Sequence, residues 1–156
     1  MFARDFLHLL LAGLLAVLGV VSGPAAADMD RQSKVVGGMT IYVGIVPAEI
    51  VRGYPKEHVE GSMHGGAPSG SGQYHLVVAL FDSKTGERVS DAEVRARVEE
   101  LGLGGEEKRL EPMLIDNTVT YGNFFRMPNT GPYRIVVQVR RPGSSRVEAV
   151  FEHRHR

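Results

Sequence analysis

The chain has 156 residues, 18 Lys and Arg against 18 Asp and Glu, a formal net charge of zero, and no cysteine. A chain without basic excess has nothing to hold a phosphate backbone, so nucleic acid is excluded as an expected partner. Without thiolates, any metal must be held by His, Met, carboxylate or backbone oxygen.

Residues 1–27 read as a signal peptide. Arg4 lies near the start, an uncharged apolar run extends from Leu9 to Val21, and Ser22-Gly-Pro-Ala-Ala-Ala27 provides a small-residue cleavage site before Asp28. The run is short for a membrane span of about 20 residues. The expectation is therefore export to the periplasm, followed by a flexible lead-in over residues 28–37. Residues 38–156 are then enough for one domain with one core.

Met39 to Val46 alternates Met39, Ile41, Val43 and Ile45 against Thr40, Tyr42 and Gly44, the period-two pattern of a strand with one buried face. Pro47 stops it. Ala48 to Val59 is interrupted by Gly53 and Pro55 and reads as a loop with an irregular edge, and Gly61 to Gly72 as a glycine-rich loop. His75 to Phe81 is apolar on both faces and predicts a central strand. Asp82-Ser-Lys-Thr-Gly86 is a turn. Glu93 to Val98 sets Val94, Ala96 and Val98 inward and Arg95 and Arg97 outward; the helix formers of Val94 to Leu101 offer a helix as the alternative. Lys108 to Ile115 and Thr118 to Met127 flank an Asp116-Asn117 turn. Tyr133 to Arg140 and Arg146 to Glu152 close the series. About seven short strands with turns between them predict an all-β fold, an immunoglobulin-like sandwich of two antiparallel sheets.

No nucleophile elbow, phosphate loop, HExxH or paired-carboxylate motif is present in the sequence. What remains is metal chemistry. Met63 and His64 sit on the glycine-rich loop and His75 opens the central strand, bringing thioether and imidazole donors that favour copper, Cu(I) in particular. Each has a plainer reading: solvated loop residues for Met63 and His64, and a hydrogen-bonded strand end for His75. Met113 shares its face with Arg109, Glu111 and Ile115, so it is either a ligand or ordinary packing. Glu49 and Glu111 are candidate oxygen donors. His153 and His155, two apart, can face one ion or belong to a frayed tail.

Several stretches resemble the periplasmic iron-transport proteins that partner a high-affinity iron permease. They are Gly38-Met39-Thr-Ile with Pro47-Ala-Glu49, Tyr74-His75-Leu76, Pro112-Met113, Tyr121-Gly122-Asn123, and Tyr133-Arg-Ile-Val-Val with Pro142. The resemblance implies an immunoglobulin-like, often dimeric copper-binding protein with iron as the transported ion. It places the strand histidine at His75, the methionine at Met113 and the first-loop acid at Glu49. The sequence departs from the family at Thr120, where a histidine is expected, at Val77, where a carboxylate is expected, and over Pro142 to Arg146, where a histidine cluster is missing.

The expectation is thus a non-enzymatic periplasmic carrier or sensor of copper, Cu(I) or Cu(II), or of iron, with His75, Met113, His64, Met63 and Glu49 as the site. Its partners would be the metal ion, an inner-membrane iron permease or another periplasmic carrier, and a second copy in a homodimer. The competing expectation is a cell-envelope interaction module without metal, whose strand edges and glycine-rich loop contact a protein.

Overall fold

A computed structural model describes residues 32–54, 65–115 and 117–155. The expected signal peptide and residues 28–31 of the lead-in, as well as Met63 and His64, lie outside these residues; the rest of the lead-in, expected to be flexible, is described and includes a strand.

The fold is all-β and antiparallel, as the alternation predicts. Its strands are β1 (Ser33–Val36), β2 (Met39–Pro47), β3 (Gln73–Asp82), β4 (Glu93–Glu100), β5 (Gly105–Ile115), β6 (Thr118–Arg126), β7 (Tyr133–Arg140) and β8 (Val147–His153). One short helix, α1 (Ala48–Arg52), follows β2 where the sequence reads as loop. Pro47 suits its entry, because a helix start leaves N–H groups unpaired in any case.

Two separate sheets were expected. The eight strands instead form one sheet in the order β1-β2-β3-β6-β5-β4-β7-β8. Its two edges approach each other: Lys34 on β1 lies over the Phe151 ring of β8 at 5.9 Å, and the backbone at Gly37 abuts Val147. The sheet is therefore nearly closed into a barrel. The interior holds the inward residues of every long strand, including Ile41, Leu76, Leu80, Val94, Leu110, Tyr121, Phe125, Ile135, Val137 and Phe151. Burying a side chain of this size stabilises by about 1.5–3 kcal/mol. The Tyr121 hydroxyl accepts a hydrogen bond from the Ala92 N–H at 3.1 Å and lies 3.5 Å from the Val89 carbonyl.

The strand that makes the sheet continuous is β5. Over Gly105–Leu110 it pairs with β4, and from Glu111 to Ile115 it pairs with β6. At the changeover two backbone carbonyls take side-chain donors: Lys108 Nζ donates to Phe124 O at 2.7 Å, and Asn123 Nδ2 to Arg109 O at 2.9 Å. Pro112, which has no N–H for a ladder, stands just past the switch. So does Met113.

Candidate metal centre

Successive residues of a strand point to opposite faces. On β3, Leu76, Val78 and Leu80 fill the barrel, so His75 faces outward. It is nevertheless only 1 % exposed. The reason is a small second layer: Phe124 on β6 packs with Ala48 and Val51 of α1, flanked by Val46, Tyr54 and Ala67. His75 lies opposite Phe124 in the β3–β6 register and opposite Val46 in the β2–β3 register. Its ring stacks on Phe124 with centroids 4.7 Å apart and planes 26° apart. The Arg52 guanidinium donates to the Pro68 carbonyl, tying α1 to the loop that leads into β3.

Met113 reaches the same outer face from β5. It is 2 % exposed, outside the main core, and opposite Thr120 in the β5–β6 register. Between Met113 and His75 runs β6, and what it presents there is Gly122, paired with Val77 on one side and Glu111 on the other. A Cβ at Gly122 would lie 2.7 Å from His75 Nε2, 2.7 Å from Met113 Cε and 3.0 Å from Met113 Sδ. The imidazole nitrogen and the thioether sulfur therefore converge on one small space, which exists because residue 122 has no side chain. Gly122 is the contributor that a search for donor residues overlooks; its only trace in the sequence is the Tyr121-Gly122-Asn123 stretch of the family resemblance.

Two further groups border this space. Thr120, two residues before Gly122 on the same face of β6, is 7 % exposed, and its hydroxyl has no hydrogen-bond partner among the described residues. A buried polar atom in that condition costs about 1–3 kcal/mol. Glu111 is exposed, directly opposite Gly122 and on the same face as Met113. Glu49 is also exposed, in the first turn of α1. Among the described residues, no three His, Asp or Glu side chains gather in a metal-holding group. The candidate centre as described consists of one imidazole and one thioether, with Thr120 and Glu111 at neighbouring positions of the sheet.

His153 and His155 form a second cluster. Their strand does not fray: β8 runs to His153, and the His155 N–H donates to Thr130 O at 3.1 Å. His153 Nε2 and His155 Nδ1 are 3.1 Å apart. Burial, and then repulsion from His155, hold His153 below the usual imidazole pKa.

No protein-family model and no curated protein sequence matches the chain. Solved structures do. A copper-bound variant of FetP from uropathogenic Escherichia coli strain F11 superposes with a TM-score of 0.60 at 13% identity, covering 79% of this chain and 93% of its own. Copper-reconstituted P19 from Campylobacter jejuni gives 0.61 at 13% identity, with 79% and 92% covered. The fold resembles that of FetP and P19. A DUF4426 family protein from Pseudomonas aeruginosa gives 0.61 at 14% identity, again with 79% and 92% covered. The resemblance read from short stretches of sequence is thus borne out in the fold across most of the chain.

Proposed function

We propose that the chain is an exported copper-handling protein of the periplasm, a carrier that binds one soft metal ion as cargo between His75 and Met113 and performs no turnover. The observation that carries this reading is the convergence of His75 Nε2 and Met113 Sδ on the space above Gly122. The fold likeness to copper-bound FetP and P19 supports it. The competing interaction-module reading has no need for a buried imidazole and a buried thioether to meet across three strands.

The donor chemistry points to Cu(I). Thioether sulfur is a soft ligand that suits a soft ion, imidazole accepts copper readily, and Cu(I) tolerates low coordination numbers. Thr120 and Glu111 are oxygen donors, which Cu(I) uses little and Cu(II) or ferrous iron would use more. A site that pairs a buried soft half with one buried oxygen donor, Thr120, and one exposed one, Glu111, can accept either copper oxidation state. His64 and Met63 are proposed as further ligands that replace the histidine missing at Thr120, and Glu49 as a supporting carboxylate. A role in iron uptake, with an iron permease or another periplasmic carrier as acceptor and with homodimerisation, follows from the family resemblance and is proposed on that basis.

The test is metal titration of the protein lacking residues 1–27, alongside the His75→Ala, Met113→Ala double variant. The expected result is one tightly bound Cu(I) that the variant loses. Equal Cu(I) affinity in both proteins would overturn the assignment.

A further inference from the structure

The open seam of the barrel carries a second cluster that the first centre does not use. A pocket of about 610 Å³ opens there, lined by Val43, Ile45, Tyr74, Phe151, His153 and His155 among others. His155 is fixed on three sides. Its ring stacks on Tyr74 with centroids 4.2 Å apart and planes 18° apart, its backbone N–H is held by Thr130 O, and its Nε2 lies 3.2 Å from Met127 O.

That last contact assigns the tautomer of the neutral ring. A carbonyl oxygen can only accept, so His155 Nε2 carries the proton and its Nδ1 presents a lone pair. The lone pair faces His153 Nε2 at 3.1 Å. A histidine that gives one ring N–H to a backbone carbonyl while offering the other nitrogen to a shared space has the second-sphere arrangement of a metal ligand. The separation fits as well. Two nitrogens bound at about 2.0–2.1 Å to one ion are about 2.8–3.0 Å apart at a right angle and about 3.3–3.4 Å apart in a tetrahedron. The observed distance lies between these limits.

We propose that His153 Nε2 and His155 Nδ1 form a second metal site for a borderline divalent cation, Cu(II) foremost, at the mouth of the seam pocket. Binding replaces the proton shared between the rings: His153 moves its proton from Nε2 to Nδ1, both imidazoles stay neutral, and the ion takes the place of the hydrogen bond. Water completes the coordination. Cu(II) leads because imidazole sites follow the Irving–Williams order. Tyr74 and His75 are consecutive on β3 and so point to opposite faces; the two sites lie on either side of the same strand end. This site is independent of the one at His75 and Met113, because it uses none of its residues.

The experiment is a Cu(II) titration of the protein lacking residues 1–27, with Ag(I) added first to fill the thioether centre. Binding is read by tyrosine fluorescence, since the chain has no tryptophan, and by the nitrogen hyperfine pattern in electron paramagnetic resonance. One Cu(II) should bind with a two-nitrogen pattern and quench emission, mostly from Tyr74. His153→Gln and His155→Gln should each weaken it at least tenfold. His153→Gln leaves the Tyr74 stack intact, so it decides the matter alone if His155→Gln misfolds. Unchanged Cu(II) affinity in His153→Gln, or no Cu(II) binding by the wild type, would overturn the proposal. Failure of Ag(I) to bind would count against the first centre only.

Discussion

Gly122→Ala probes the metal centre without removing a ligand. The new methyl group would sit 2.7 Å from His75 Nε2 and 3.0 Å from Met113 Sδ. An ion bonded to both atoms at about 2.0–2.3 Å has to occupy that same space, so methyl and metal exclude each other. The structural cost is modest. Gly122 does not have a positive φ among the described residues, and an alanine within a strand recovers about 0.5–1 kcal/mol of backbone entropy. Overpacking costs about 1–3 kcal/mol, partly relieved because Met113 Cε is the end of a flexible chain. The net loss is about 0–2.5 kcal/mol of stability, readable as a fall in Tm. Copper affinity should fall far more, at least about 100-fold or about 2.7 kcal/mol. Thermal melting by circular dichroism and Cu(I) competition against a chromophoric chelator separate the two effects. A folded Gly122→Ala protein with unchanged copper affinity would refute the placement of the ion.

Other substitutions test neighbouring parts of the account. Thr120→His puts a third donor beside Met113, where the sequence resemblance implies a histidine; Cu(I) affinity by the same competition should rise at least tenfold. Tyr121→Phe leaves the Ala92 N–H without its acceptor, and chemical denaturation should show a loss of about 1–3 kcal/mol. Glu99 is bonded to Arg134 and Arg97, and the hydrogen bond from Arg134 is the main cause that holds its carboxyl below the usual value. A depressed folded-state pKa means that the contribution is present above the unfolded value of about 4.3 and is lost as pH falls through the folded one. The Tm of the wild type should therefore fall more steeply than that of Glu99→Gln between about pH 5 and about pH 3. Parallel melting curves would show that the pair contributes nothing.

The strands were legible wherever one face is apolar. Tyr133 to Arg140 was read with its observed bounds, and Val94, Ala96 and Val98 point inward as the alternation requires. Strand β1 escaped notice because Ser33-Lys34-Val35-Val36 is an edge strand without a fully buried residue, and its apolar residues do not alternate. The start of β5 escaped for a different reason. Gly105-Glu-Glu107 has no apolar residue and is joined to β4 by its ladder and by charge, with Arg95 paired to Glu107. Missing those residues hid the length of β5, and with it the means by which one strand unites two expected sheets. At the site, His75 and Met113 were legible as residue types. Their meeting depends on the β3-β6-β5 order and on an absent side chain at Gly122, neither of which periodicity records.

The atoms proposed to hold copper are open to direct measurement. X-ray absorption spectroscopy of the protein lacking residues 1–27, loaded with one equivalent of Cu(I), reads them directly. The first shell should contain at least one sulfur scatterer at about 2.3 Å and at least one imidazole nitrogen at about 2.0 Å, the bond lengths typical of such donors; Met113→Leu should lower the sulfur contribution, and Met63→Leu combined with Met113→Leu should abolish it. A shell of nitrogen and oxygen alone in the wild type, or a sulfur contribution unchanged in Met113→Leu, would contradict the assignment.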